Sequence, residues 1–195
     1  MLSFQLIPTY MFSILAEWPV MDISRISIGN NPPHDVNVVI EIPFGAEPVK
    51  YEIDKASGAM FVDRIMHTSM RYPANYGFIP HSLSDDGDPI DALVVAGVPF
   101  ISGSVVRARA VGVLMTEDQK GGDEKLLMVP VDDLHPYYSG VTTYTELPRI
   151  VIDQIEHFFG HYKDLEPGKW VKIHGWEGPE KAAELIMAAI ARANG

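Results

Sequence analysis

Asp86-Gly87-Asp88-Pro89-Ile90-Asp91 brings three aspartates together at positions i, i+2 and i+5. Gly87 allows a tight backbone and Pro89 stiffens it, so the three carboxylates can converge rather than splay. Converging like charges need cations, and carboxylate oxygens suit hard ions such as Mg²⁺, Mn²⁺ or Ca²⁺. Taken alone, any Asp-rich loop also reads as a solvated acidic turn. An EF-hand fails on spacing, because its third ligand would fall at Ile90 and its closing glutamate at Gly97.

A second acidic loop holds Glu117, Asp118 and Asp123, with Lys125 just beyond. It gains meaning only if it faces the first. The cations matter equally: Lys50 lies between Glu41 and Glu52 in the strand pattern, Arg64 closes the next strand, and Tyr162-Lys163 ends a helical stripe. Mixed carboxylates and cations suggest a polyanionic, metal-bound substrate. That is phosphoryl chemistry, in which catalysis is mainly positioning and charge stabilisation. The sequence has neither G-x-x-x-x-G-K-[ST] nor G-x-G-x-x-G, so metals and side chains must grip the phosphate in place of a backbone cradle.

The elements that must position these groups are mostly strands. Val36 to Ile42 is β-branched and stops at Pro43; Val49 to Ile53 alternates, with Lys50 and Glu52 on its polar face. Glu41 joins that polar set if the two strands pair. Ala59 to Ile65, Ser104 to Met115 and Lys125 to Val131 are three further strands. Val151, Ile155, Phe158, Phe159 and Tyr162 form the stripe of an amphipathic helix opened by Pro148, and Pro179 opens a second helix through Ile190. The expected fold class is α+β, mainly β: a small closed or nearly closed five-stranded barrel with two helices packed outside.

At 195 residues the chain fits one compact domain, and its formal charge is −11. That acid excess opposes a sequence-independent nucleic-acid binder, which needs a basic surface. With no cysteine there is no disulfide framework, thiolate metal site or cysteine nucleophile. Residues 1–20 are mostly apolar but lack a cationic start, and Pro8, Thr9 and Ser13 break any membrane span. Met21 offers a second plausible start, so 1–20 are read as an N-terminal extension and 21–195 as the single domain.

Four separated runs are similar, in the same order, to the soluble family I inorganic pyrophosphatases of bacterial type. They are VVIEIP around Glu41, KYEIDKASGAMFVDR from Lys50 to Arg64, YPANYGFIPHSLSDDGDPID from Tyr72 to Asp91, and HFFGHYKDLEPGKWVK from His157 to Lys172. The resemblance covers the chain from about Asp22 onward. It implies an OB-like barrel, a homohexamer, a cytoplasmic location, and Mg²⁺-dependent hydrolysis of pyrophosphate to two orthophosphates. Several Mg²⁺ ions would serve each site, with Mn²⁺ or Zn²⁺ as substitutes. Asp86, Asp91, Asp118, Asp123 and Glu41 would hold metal. Lys50, Arg64, Tyr76, Tyr162 and Lys163 would bind phosphate oxygens. Asp88 would be the general base toward a metal-activated water that attacks directly, and Glu52, Tyr72 and Lys125 would complete the cavity. Glu117 beside Asp118 leaves open which acid is the ligand, and Gly160 loosens the helix just before Tyr162.

Seven of these acids and four of the cations give the proposed cavity a formal charge of −3. About three divalent ions would turn that positive, making an acidic chain suitable for an anionic substrate. Other patterns carry less. His157 and His161 have a zinc-like i, i+4 spacing but no H-E-x-x-H partner, and Phe158-Phe159 mark the region as core. There is no G-x-S-x-G elbow. Two other classes compete: an OB-like single-strand binder, which the acid excess opposes, and a metal-dependent phosphohydrolase acting on nucleotides or polyphosphate. No nucleic acid or membrane partner is expected.

Overall fold

The structure, a computed structural model, describes residues 21–195; the N-terminal extension read over 1–20 lies outside the described residues. The described residues form nine strands and two α-helices. Branched and apolar side chains make Val36–Ile42 (β1) a strand buried along almost all its length. Pro43, lacking an N–H, ends it. Val49–Ile53 (β2) and Met60–Ile65 (β3) follow, then Asn75–Phe78 (β4), Asp91–Val94 (β5) and the long Val105–Asp118 (β6). The remaining elements are Gly121–Gly122 (β7), Lys125–Pro130 (β8), Arg149–His161 (α1), Val171–Glu177 (β9) and Pro179–Ala193 (α2).

Five strands close into a ring in the order β1-β4-β5-β8-β6, with β6 returning to β1 through Val36↔Ala108 to Val39↔Val105. Every neighbouring pair is antiparallel except β5 and β8, which run parallel. The ring and the two helices match the expected architecture, but its membership differs from the five runs read in the sequence. β2 and β3 form a separate two-stranded sheet, while β4 and β5 supply the missing ring positions. Asn75 and Gly77 are poor strand formers that disguise β4. Gly77 is needed because a side chain there would drive its Cβ to 1.9 Å from the Val39 carbonyl oxygen of β1.

Alternation splits the ring's side chains between two faces. Ala92, Val94, Leu126 and Met128 pack with Ala182, Ile186 and Ala189 of α2. Leu93, Leu127 and Val129 pack on the opposite side with Ile152, Ile155, Phe158 and Phe159 of α1. Pro179 at the first helical position starts α2 with a backbone angle already suited to a helix. Burying a side chain such as Ile186 fully contributes about 1.5–3 kcal/mol. Gly160 leaves α1 uninterrupted, and Tyr162 caps its end instead of lying inside it. α2 also reaches toward the acidic motif. The Leu83 N–H donates to the Ala189 carbonyl at 2.9 Å, and Arg192 donates to the Leu83 carbonyl, so the helix anchors the segment entering Asp86.

Candidate active site

The acids reach the site from several elements. Glu41 sits near the end of β1 and Asp91 opens β5. Asp118 ends β6, which runs three residues past the expected Met115 because β7 and β9 continue its pairing. Asp123 lies just before β8, its N–H donating to the Thr116 carbonyl at 2.9 Å. Asp86 and Asp88 lie in a turn closed by Ser84 N–H to the Asp88 carbonyl at 2.7 Å and by Asp88 N–H to Asp86 Oδ1 at 3.1 Å. Gly87 has φ 90° there, which an L side chain rarely adopts.

Two of the cavity's cations arrive by another route. Lys50 and Arg64 are opposite each other across β2 and β3, beside a bulge that leaves Asp63 as the extra residue. Asp63 Oδ2 lies 3.5 Å from Lys50 Nζ and accepts from Arg64 Nη1 at 3.2 Å, so one carboxylate sits between two cations. Lys50 also bonds Glu52. Glu41 does not join this sheet as a neighbouring strand residue; its side-chain Oε1 accepts from the Ile53 N–H at 2.8 Å and stitches ring to hairpin.

These groups meet in one cavity of about 230 Å³, and all fourteen side chains singled out in the sequence line it. Lys125 and Asp91 face each other in the parallel register, and the Lys125 ammonium bonds both Asp91 and Asp123. Lys163 donates to Asp118 Oδ2 at 2.8 Å, and the Lys120 N–H donates to Asp118 Oδ1 at 2.7 Å. Glu117 points elsewhere, meeting His174 at 3.2 Å on the outer surface, so Asp118 is the acid of this pair that lines the cavity. His157 and His161 lie outside it; their rings are 4.6 Å apart, and His161 Nδ1 is 2.8 Å from Asp164 Oδ2.

Burial and charge pull the site's titrations in opposite directions. Burial pushes the Glu41 carboxyl up to about 7, against the pull of the Ile53 N–H. It also raises Asp91, which Lys125 partly opposes. Burial works against the charged forms of Lys125 and Lys163, yet their acidic neighbours outweigh it and both are raised. For Asp118 the bonds from Lys163 and the Lys120 N–H outweigh desolvation and hold the carboxyl low. Tyr72 and Tyr76 are held well above the usual phenol range by burial, so both are hydroxyl donors at neutral pH.

The sequence reading passes over Lys55, Lys120, Lys169 and Glu124, all of which line the cavity. With them, eight acids face seven cations, so the formal charge of the lining is −1 where the sequence count gave −3. Lys55 carried a readable signal in the KASG turn after β2, whose close brings its Nζ to 3.2 Å from Asp88 Oδ1. The others lie in loops whose direction no spacing rule fixes.

A family model for inorganic pyrophosphatase matches residues 38–194 of the chain. The chain belongs to the bacterial type of family I inorganic pyrophosphatases. It is 60% identical over 174 residues to the inorganic pyrophosphatase of Caulobacter vibrioides, covering 89% of this chain and 98% of that protein. The inorganic pyrophosphatase of Rhodospirillum rubrum is 59% identical over 171 residues, covering 88% and 96%. Among solved structures, an inorganic pyrophosphatase from Coxiella burnetii superposes with a TM-score of 0.83 at 47% identity, covering 86% of this chain and 99% of that one. That from Thermus thermophilus gives 0.83 at 40% identity, covering 90% and 100%. The family is one of enzymes, hydrolases of a phosphoanhydride bond.

Metal dependence is general in family I pyrophosphatases, and the donor set here fits a hard divalent cation. Glu41, Asp86, Asp91, Asp118 and Asp123 offer only oxygen; the sequence has no cysteine, and no methionine lines the cavity. Among the described residues no three acids or histidines already form a ligand cluster. Ammonium groups hold three of the five acids, with Lys125 on Asp91 and Asp123 and Lys163 on Asp118. No helix among the described residues is long and apolar enough to cross a membrane.

Proposed function

We propose that residues 21–195 act as one domain that hydrolyses inorganic pyrophosphate to two orthophosphates with Mg²⁺, Asp88 serving as general base. The observation that supports this most is the shared cavity, where oxygen-rich acids face Lys50, Arg64 and Lys163 across a space of about 230 Å³. Asp86, Asp91, Asp118, Asp123 and Glu41 would hold Mg²⁺, for which Mn²⁺ or Zn²⁺ could substitute; bound there, the ion would supply charge neutralisation of the substrate and a more acidic water.

The chain's own groups do the rest. Lys50, Arg64 and Lys163 pair with phosphate oxygens, and the hydroxyls of Tyr76 and Tyr162 donate to them. Glu52, Tyr72 and Lys125 fix the surrounding polar wall. Asp88 stands at the open side of the cavity, its side chain 58% exposed, where it can reach a water molecule. Its backbone N–H bond to Asp86 and the Lys55 ammonium fix where the carboxylate points. Asp88 takes a proton from the attacking water as the water oxygen bonds to phosphorus in line. The bond from that phosphorus to the bridging oxygen breaks, and Arg64, Lys163 and Tyr162 stabilise the departing orthophosphate. The protein works in the cytoplasm as a homohexamer, a reading that rests on the family alone.

Phosphate release from pyrophosphate with Mg²⁺, set against ATP and tripolyphosphate, tests the proposal. Release from pyrophosphate is expected to dominate. Release from ATP with none from pyrophosphate would replace it with a nucleotide-directed phosphohydrolase.

A further inference from the structure

Glu166 is a buried carboxylate that stands behind the cavity wall. Its side chain is 6% exposed and does not line the cavity, yet both cations it holds do. Arg64 Nε lies 3.2 Å from Glu166 Oε1, and Lys169 Nζ lies 2.8 Å from Glu166 Oε2. The Arg64 contact is an ion pair without hydrogen-bond geometry, and neither of these two buried atoms has a hydrogen-bond partner among the described residues. Burial favours the neutral acid, but Lys169, Arg64 and His67 outweigh it and keep the carboxyl below its usual range.

The surrounding backbone makes this acid a junction. The Glu166 N–H donates to the Lys163 carbonyl at 2.9 Å, and the Lys169 N–H returns to the Glu166 carbonyl at 3.2 Å. His67, just beyond β3, contacts the Leu165 carbonyl through Nδ1 at 3.0 Å. The turn after α1 is therefore pinned to the end of the β2–β3 hairpin, with Glu166 at the crossing. Arg64 has a competing acid, Asp63, at 3.2 Å on its own strand. Without Glu166, Asp63 is the one acid left within 4 Å of Arg64 among the described residues.

We propose that Glu166 is a positioning residue for pyrophosphate: it holds Arg64 toward the cavity and fixes Lys169 at its rim. The substrate half of this inference rests on the proposed function, but the tether itself does not. A buried carboxylate costs free energy unless it is paired, and this one spends its two oxygens on two site cations from distant parts of the chain. The arrangement leaves Arg64 Nη2 and the remaining N–H donors of Lys169 available to an anion.

Glu166→Gln and Glu166→Asp test it, with three readouts on the full chain. Glu166→Gln is expected to raise KM for pyrophosphate by roughly 10- to 100-fold, the scale of losing a charged partner, with kcat changed by less than about threefold. Glu166→Asp should recover part of that loss. In a cycle with Arg64→Ala, Glu166→Gln should add little, because its effect passes largely through Arg64. The ¹⁵N-edited signal of the Arg64 Nε–H, protected from exchange in the parent, should lose that protection in Glu166→Gln. An unchanged KM, or full additivity in the cycle, would overturn the substrate role. An unchanged Arg64 signal would overturn the tether. Lack of pyrophosphate hydrolysis in the parent would sink the proposed function and with it the substrate role, while the Arg64 signal still decides the tether.

Discussion

Lys125 and Asp91 occupy facing positions on β8 and β5, the one parallel pair in the ring, and their side chains bond inside the cavity. The pairing register therefore sets a charge contact directly. A slip of one residue would place Leu126 or Ala92 there and turn the pair onto the ring's opposite face. Since Lys125 also bonds Asp123, one ammonium keeps two carboxylates from repelling each other.

Replacing Lys125 by Met leaves those two acids without their shared counter-charge. Removing one member of a buried pair costs about 3–5 kcal/mol, so the melting temperature should fall sharply in metal-free buffer. Mg²⁺ should restore much of it by supplying positive charge at the same oxygens. Equal melting temperatures for variant and parent in metal-free buffer would show that the pair carries no such strain.

Glu41 makes stability depend on pH. Its folded carboxyl titrates at about 7 against an ordinary 4.5, so the folded chain holds a proton that the unfolded chain has released. This contribution is complete below about pH 4.5 and is lost as pH rises through 7, a loss of about 3 kcal/mol. Glu41→Gln keeps an acceptor for the Ile53 N–H and removes the titration. In chelator-treated protein the variant should gain on the parent steadily between pH 4.5 and 7, as measured by urea midpoints. Parallel curves across that range would contradict the assignment.

Asp88→Asn should retain Mg²⁺ and pyrophosphate binding but lose roughly 10²–10⁴ in kcat, the usual scale of general-base catalysis. Asp91→Ala should instead weaken Mg²⁺ binding. Calorimetry and turnover together separate the two, and near-parent kcat in Asp88→Asn would remove Asp88 from the role.

Gly77→Ala tests how the fold carries the site. The added carbon meets the Val39 carbonyl oxygen at 1.9 Å, in the strand pairing that helps close the ring and holds Tyr76 beside Asp91. The loss should exceed about 4 kcal/mol, at the severe end for a single change, and show as little folded protein by circular dichroism. A folded variant of parent-like stability would mean that β1 and β4 separate readily.

Strands with strong local patterns were readable from the sequence, and those shaped by their neighbours were not. VNVVIEI and KLLMVP declare themselves through branched and apolar side chains. Asn75–Phe78 is held instead by partners on both sides, with Asn75 Oδ1 accepting from Phe44 and Phe100 N–H groups at 3.0 and 2.7 Å. Asp91–Val94 is short and apolar on both faces, so no alternation marks it. The acidic motif and its cations were legible because their types and order resemble a family. Glu166 and Lys169 depend on where loops turn back, which residue spacing does not encode.

The β2–β3 hairpin shares no strand pairing with the ring. Lys50 and Arg64 thus ride on an arm, while Asp91 and Asp118 belong to the frame. Contacts such as Glu41 with Ile53 and Arg64 with Glu166 hold that arm in place, and no ladder bond of the ring does. The two halves of the cavity therefore answer to different forces: strand register sets the acids of the frame, and side-chain contacts set the cations of the arm.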